Sequence, residues 1–161
     1  MFETLNESPL TQWLNSLLWG FPAAEIFHIV MTGGFFGGVA ALDLRLLGVH
    51  RRVSVMTLMQ HLVPLLRWLF VGVVVSGALL FLFMPLEYSQ NPAFLTKLVL
   101  IVCGGLNALF MHVALLRHQY QWDSHIDPPG GVKMSALLSL AIWMATLGCG
   151  RLIAYFYGTS F

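Results

Sequence analysis

Three histidines lie within long apolar stretches of the chain and are the residues best suited to bind a redox cofactor. His28, His61 and His112 belong to the first, second and third of these stretches. Neutral imidazoles that face each other across a helix bundle hold the iron of b-type haem, because iron accepts two axial nitrogens and the ring fills the space between helices. The three histidines are therefore candidate iron ligands, and one or two b-type haems are the predicted cofactor.

The expected depth of each histidine in a bilayer decides which of them can share one cofactor. At about 1.5 Å per residue, His61 and His112 are predicted at one level, with His28 roughly 15–25 Å away from them. His28 has no second histidine at its level, so Met84 or an open coordination position would complete its iron. The alternative for each histidine is a hydrogen bond to a neighbouring helix. Three glycines would leave room for a ring near His61 and His112: Gly72, Gly104 and Gly105.

Two cations inside apolar stretches need an anionic or hydrogen-bonding partner. Arg151 is predicted to pair with Glu25, which lies at a similar depth, or to hold a haem propionate or a quinone oxygen. Lys97, near the start of the third stretch, would pair with Glu87 or with an anionic group of the ligand. Both cations therefore count as candidate cofactor-binding residues.

The first apolar stretch ends in Asp-Leu-Arg, which predicts a structural ion-pair cluster. Asp43, Arg45 and Arg67 are expected to lock the first two spans together. The centre of the same stretch is expected to form a surface for close helix contact, because small residues let backbones approach in lipid. The residues of that surface are Gly33, Gly34, Gly37 and Gly38.

The composition places all of these residues in a membrane protein. The chain has 161 residues, of which 58% are hydrophobic and 9% charged, whereas soluble domains carry about 25% charged residues. The formal net charge of +1 gives no reason to expect nucleic acid as a partner. The lipid bilayer is the first predicted partner.

Hydropathy predicts an all-α fold, a polytopic membrane four-helix bundle with an N-terminal interfacial amphipathic helix. Residues 1–21 would form a polar lead and that helix, with Trp13 and Trp19 at headgroup level. Residues 22–161 would form a single four-span transmembrane domain, since a hydrocarbon core requires roughly 20 apolar residues per span. The spans are predicted at 22–47, 68–84, 94–116 and 134–157, with the run from 55 onwards beginning along or above the membrane surface.

The distribution of Lys and Arg predicts the orientation of the spans. Most of the basic residues gather where spans one and two, and three and four, are joined, so the positive-inside rule makes those links cytoplasmic. Both termini then lie on the outer face. The basic residues on the cytoplasmic side are Arg45, Arg51, Arg52, Arg67, Arg117 and Lys133.

Several motifs together resemble a family of short bacterial four-span membrane proteins that has no assigned function. They are EIFHI, DLRLLG, NALFMH and GRLIAY, with Pro64 and Lys97 between them, and they cover about residues 25–155. The resemblance implies a bacterial inner membrane, with periplasmic termini. More distantly, the layout is similar to four-helix b-type cytochromes and to copper resistance protein D-like membrane proteins. Unlike those cytochromes, the fourth span has no histidine, and the chain has no methionine-rich or histidine-rich motif for copper entry.

The favoured functional hypothesis is a small membrane redox subunit that binds b-type haem. It would pass electrons between a periplasmic partner and either quinone or a partner subunit. A second hypothesis is a non-catalytic anchor or accessory subunit of a larger complex, suggested by the small size and the glycine-rich first span. A third is a copper-handling membrane protein with Glu25, His28 and methionines as ligands.

Overall fold

The computed structural model describes residues 2–115 and 128–156, and every regular element in this part of the chain is a helix. The helix Pro92–Phe110 continues as a π-helical turn, Met111–Leu115, and the last helix ends in a 3₁₀ turn, Ile153–Tyr155. The helices are α1 Phe2–Asn6, α2 Pro9–Ser16, α3 Gly20–Leu46, α4 Val55–Phe83, α5 Pro85–Gln90, α6 Pro92–Phe110 and α7 Gly130–Leu152.

Four of these helices are long and apolar enough to cross a membrane, which confirms the predicted all-α fold with four spans. They are α3, α4, α6 with its π-helical turn, and α7. Large apolar side chains remain exposed along all four, as expected where lipid takes the place of a protein core. The protein is therefore a multi-pass membrane protein.

Helix α4 is one continuous helix, although the sequence places a proline in its first half. Pro64 has no N–H to donate to the carbonyl of Gln60, yet the helix runs from Val55 to Phe83 without a break. At about 1.5 Å per residue, α4 is roughly 43 Å long, which exceeds the roughly 30 Å of a hydrocarbon core. Part of α4 must therefore tilt or extend beyond the hydrocarbon, and the residues before 68 belong to the same helix as the predicted span.

The four spans pack as two antiparallel hairpins that meet through α3 and α7. Helix α3 packs along α4, α6 packs along α7, and α3 also contacts α7. The α6–α7 pair is joined by two reciprocal hydrogen bonds. Asn107 Nδ2 donates to the carbonyl of Ser135 at 3.0 Å, and the Ser135 hydroxyl donates to Asn107 Oδ1 at 2.9 Å. Asn107 therefore links α6 to α7.

Three aromatic rings from α3, α4 and α7 meet in the middle of the bundle, and we call them the aromatic plug. The ring centroids of Phe35 and Trp143 are 4.8 Å apart, and those of Phe35 and Phe70 are 5.3 Å apart. Phe70 and Trp143 complete the triangle at 6.5 Å. The plug divides the polar residues of the bundle into two groups, one on each side of it.

The short helices lie at the end of the bundle where α3 begins, which we call the N-terminal end. Leu14 of α2 is buried against Ala24 and Phe83, and Asn15 donates a hydrogen bond to the carbonyl of Phe83 at 3.2 Å. Trp13 is 59% exposed on the opposite side of α2. A helix over the segment of α2 was predicted, whereas no helix was predicted over residues 85–90, where α5 lies.

The opposite end of the bundle carries the link between α3 and α4, and we call it the link end. Gly48 adopts a φ of 101°, a backbone conformation that favours glycine. Ser54 then caps α4, because its side chain accepts a hydrogen bond from the N–H of Thr57. Leu46 and Val55, which flank the link on either side, are fully buried and fix the two ends of the hairpin.

Candidate functional site

His28 lies on the N-terminal side of the aromatic plug and is held by a residue of the neighbouring span. Its Nδ1 atom is 2.8 Å from the Oγ atom of Ser76 on α4. Lys97 of α6 is a charged neighbour of the imidazole. Each of these three residues lies roughly 8–12 Å inside its helix end at about 1.5 Å per residue. We call His28, Ser76, Lys97 and the nearby Thr32 the His28 site.

The hydrogen bonds of Ser76 determine the tautomer of His28. The Ser76 hydroxyl lies 2.6 Å from the carbonyl oxygen of Gly72, one turn earlier in α4, and 3.2 Å from that of Val73. Carbonyl oxygens only accept, and a hydroxyl has one proton, so Ser76 donates to its own helix. The remaining contact therefore requires Nδ1–H of His28 to donate to Ser76. This leaves Nε2 with its lone pair, able to bind a metal or to accept a proton.

Lys97 brings a positive charge into the same part of the bundle. A Cβ atom added at Gly150 of α7 would lie 3.4 Å from the Lys97 Nζ atom, so the ammonium group rests against the α7 backbone. Lys97 is half-buried and forms no ion pair with a described residue, Glu87 included. A cation in this position attracts an anionic group of a ligand.

Small residues make room around His28, and one hydroxyl beside it has no partner. A Cβ atom added at Gly77 would lie 3.2 Å from Cε1 of the His28 ring. Thr32 is one turn from His28 on α3, and its Oγ1 atom is buried without a hydrogen bond from any described residue. The site thus combines an imidazole nitrogen, a cation and a hydroxyl that the described residues do not satisfy.

His61 and His112 are placed differently from His28. Both side chains are exposed. The Nδ1 atom of His61 is 2.8 Å from the carbonyl of Thr57 in its own helix, and that carbonyl can only accept the proton. His112 lies in the π-helical turn. Neither imidazole belongs to a group of three or more His, Cys, Asp or Glu side chains among the described residues, and their pairing on one haem stays a prediction.

Glu25 and Arg151 both lie at the N-terminal end, but the structure does not join them in an ion pair. Both side chains are exposed. The guanidinium carbon of Arg151 is instead 5.9 Å from the ring centroid of Tyr155, one turn later. This is the distance of a cation–π contact. Each residue stays available to lipid headgroups or to a partner.

Asp43, Arg45 and Arg67 also do not form one cluster. Arg45 is buried and donates hydrogen bonds to the carbonyls of Val53 and Arg51, so it holds the α3–α4 link closed. Arg67 is exposed. Asp43 is buried on the link side of the aromatic plug, with Ser139 of α7 as the hydrogen-bonding side chain beside it.

The glycines that were expected to leave room for a haem are partly covered by side chains. A Cβ atom at Gly104 would lie 2.8 Å from Trp143 Cζ2, and one at Gly72 would lie 3.0 Å from the Met31 sulfur. Gly105 faces open space. The small residues at 72 and 104 thus serve the packing of the helices, and the expectation that they border an open gap is wrong for these two.

The glycines of α3 divide into two faces. Gly34 and Gly38 pack against α4, where added Cβ atoms would lie 3.4 Å from Leu69 and 2.7 Å from Leu66. Gly33 and Gly37 have nothing within 4 Å. The predicted close contact exists for the first pair, and the second pair remains exposed.

Sequence reasoning missed Ser76. Its signal was present, because a serine in an apolar span often bonds to its own helix or to a neighbour. Counting depth from the two ends of the α3–α4 hairpin would have placed Ser76 at the level of His28.

The described residues contain no cluster of side chains typical of a metal centre. Within residues 2–115 and 128–156, no group of three or more His, Cys, Asp or Glu side chains lies close enough to hold a metal ion. Comparison with known protein families, with curated protein sequences and with solved structures found no match. The resemblance drawn from the motifs therefore stays a prediction.

Proposed function

We propose that the protein is a membrane redox protein that binds b-type haem at the His28 site. His28 would hold the haem iron through Nε2, and Lys97 would hold a carboxylate group of the haem. The haem, when bound, supplies one-electron redox chemistry. Electrons would pass between a periplasmic partner and quinone or a partner subunit.

The observation that carries this proposal is the hydrogen-bond chain from His28 through Ser76 to Gly72. Histidines that bind metals commonly donate their second ring N–H to an acceptor, which fixes the orientation of the ring and makes the ligating nitrogen more basic. Ser76 has this role for Nδ1. The chain holds the imidazole in the tautomer that an iron ligand requires before any ligand arrives.

Lys97 supports the same assignment from a second helix. The charge of a propionate would satisfy the half-buried ammonium group, which has no anionic partner among the described residues. The unsatisfied hydroxyl of Thr32 is a further hydrogen-bond donor. Neither group is explained by packing alone, because unpaired polar groups in an apolar bundle are unfavourable.

The proposed setting is a bacterial inner membrane with both termini on the periplasmic side. This orientation follows from the basic residues near the link end. It places the His28 site in the periplasmic half of the bundle and Asp43 in the cytoplasmic half. A periplasmic electron donor or acceptor would then be closer to the His28 site than a cytoplasmic one.

The test is an absorption spectrum of the purified protein, expressed with haem supplied. We expect a Soret band that shifts on dithionite reduction. His28→Ala should abolish the band, and imidazole added to the variant should restore part of it, because free imidazole can replace the lost ligand. Ser76→Ala should keep the band but change the midpoint potential of the haem, since only the hydrogen-bond partner of His28 Nδ1 is lost.

The matched controls are His61→Ala and His112→Ala, whose side chains are exposed. We expect both variants to keep the spectrum of the wild type. If these variants lose the band and His28→Ala keeps it, the haem binds at the link end and not at the His28 site. A protein without any Soret band would end the haem proposal.

A second candidate function is that of an accessory subunit, and the exposed pair Gly33 and Gly37 favours it. Glycines spaced four residues apart form a common face for helix association in membranes, and nothing lies within 4 Å of either. Gly37→Leu should then weaken assembly in native mass spectrometry while the isolated subunit still folds. Gly38→Leu is the contrast, because it would disturb the α3–α4 contact itself.

The copper-handling hypothesis, with Glu25, His28 and methionines as ligands, stays a prediction. Glu25 is exposed, and no described group of three His, Cys, Asp or Glu side chains includes it. Metal analysis of the same preparation tests this alternative directly.

A further inference from the structure

Asp43 is a buried carboxyl group for which the described residues supply no counter-charge. Its side chain is 3% exposed, and its Oδ2 atom is buried without a hydrogen bond from a described residue. Among the described residues, the polar side chain that interacts with it is Ser139 of α7, a neutral hydroxyl. An ionised carboxylate in such surroundings is strongly unfavourable, because a buried charge needs a partner.

The charged and titratable groups of the surrounding helices are engaged or directed elsewhere. The Arg45 guanidinium binds the carbonyls of Val53 and Arg51. On α4, His61 is exposed and bonded to its own helix, and Arg67 is exposed. His112 after α6 is exposed and Lys133 of α7 is half-buried, and neither forms an ion pair with Asp43.

The position of Asp43 in its helix also disfavours the ionised form of the carboxyl group. Asp43 lies in the last turn of α3, and its main-chain carbonyl accepts the hydrogen bond of Leu47 N–H at 2.9 Å. The carbonyl end of a helix carries partial negative charge, which disfavours an anion there. A neutral acid, by contrast, can donate its proton to a nearby oxygen such as that of Ser139.

We propose that Asp43 is a proton-binding site: its carboxyl group is protonated at neutral pH and exchanges its proton with the aqueous phase at the link end. Residue 43 is about 4.5 Å from the end of α3, at about 1.5 Å per residue. The aromatic plug lies on its other side, so exchange proceeds through the link end. This inference does not depend on whether haem binds at the His28 site.

A metal cation is the other ligand that a buried carboxyl group accepts, and the surroundings do not favour it. Hard cations such as calcium take six or more oxygen ligands. Here Ser139 is the polar side chain found to interact with the carboxyl group among the described residues, and no described cluster of three or more His, Cys, Asp or Glu includes Asp43. One proton satisfies the group, whereas a cation would need several more oxygens.

The test uses infrared spectroscopy of the full-length protein in lipid nanodiscs at neutral pH. The wild type should show the carbonyl-stretch band of a protonated carboxylic acid, and the band should shift when aspartate is labelled with ¹³C at its side-chain carboxyl group. Transfer to D₂O should also shift it, which reports proton exchange. Asp43→Asn should remove the band, and the control variant Glu25→Gln, with an exposed carboxyl group, should keep it.

A second variant keeps the assignment testable if Asp43→Asn does not fold. The chain has two other aspartates, Asp123 and Asp127, so a labelled band that persists in the double variant Asp123→Asn, Asp127→Asn belongs to Asp43. A wild type without a protonated aspartate band would overturn the proposal. The proposal would also be overturned if the band survives in Asp43→Asn, or if it does not shift in D₂O. Removal of the band by sodium ions would overturn it as well.

Discussion

The indole ring of Trp143 lies directly against the backbone of Gly104, where an added Cβ atom would come within 2.8 Å of the ring atom Cζ2. Trp143 is also the meeting point of the aromatic plug, since it contacts Phe35 and Phe70. The contact therefore fixes both the distance between α6 and α7 and the position of the plug.

Gly104→Ala should lower the stability of the bundle, because the indole cannot move without disturbing the other two rings. We expect a loss of about 1–3 kcal/mol, the usual effect of an added methyl group in a packed interior. Gly105→Ala is the matched control, because its added Cβ atom would meet nothing within 4 Å. Unfolding in detergent micelles with increasing SDS measures both, and equal losses would contradict the described contact.

Arg45 should be a structural cation whose removal opens the α3–α4 link. Its guanidinium group holds the carbonyls of Val53 and Arg51, and hydrogen bonds to a charged group contribute about 1.5–3 kcal/mol. Arg45→Ala should destabilise the protein by at least that amount, and Arg45→Lys should restore little, because an ammonium group lacks the planar fork. Arg67→Ala, at an exposed position, should change the unfolding curve by much less.

Asn91 should stabilise the N-terminal end through two separate roles. Its Oδ1 atom caps α6 by accepting hydrogen bonds from the N–H groups of Ala93 and Phe94 at 3.0 and 3.2 Å. Its Nδ2 atom donates to the carbonyl of Ile153 at 3.1 Å. Asn91→Ala removes both roles and should cost more than the roughly 1 kcal/mol of a cap alone.

Asn91→Asp separates the two roles, because a carboxylate still caps the helix but cannot donate to Ile153. We expect its stability to lie between those of the wild type and Asn91→Ala in thermal unfolding. Identical melting of the two variants would show that one of the two contacts contributes nothing.

The paired hydrogen bonds between Asn107 and Ser135 should contribute modestly to the α6–α7 contact. Hydrogen bonds between membrane helices contribute about 0.6–2 kcal/mol. Asn107→Leu removes both bonds, whereas Ser135→Ala keeps the bond from Nδ2 to the main-chain carbonyl. The serine variant should therefore lose about half as much, and a larger loss than in Asn107→Leu would contradict this geometry.

The number of spans and their order could be predicted from the sequence, because long apolar runs in a membrane protein have few other solutions. Boundaries were less certain. Helix α3 begins at Gly20 and α7 at Gly130, a few residues earlier than hydropathy suggests, because proline and glycine at a helix start do not prevent it from forming.

The partner of His28 could not be predicted with the same means. Ser76 is 48 residues away in the chain, and whether the two side chains meet depends on the rotation of α4 about its own axis. That rotation is set by contacts such as Leu66 against Gly38. Hydrophobic periodicity predicts which residues share one face of a helix. It does not predict how the neighbouring helix is rotated, and therefore which of its residues meet that face.

The expected pair of Glu25 and Arg151 shows the same limit. Both residues lie at the N-terminal end, as depth counting indicated, yet both are exposed and Arg151 lies over Tyr155. Similar depth brings two residues to one level of the bundle, and only the helix contacts decide whether they face each other.

The three rings of the aromatic plug also bear on the passage of ions across the membrane. A continuous file of water between the His28 site and Asp43 would have to pass Phe35, Phe70 and Trp143, which pack against one another. We expect this apolar contact to hinder the movement of ions and hydronium between the two polar groups. Such a barrier would let the bundle stay in an energised membrane with little leakage of ions.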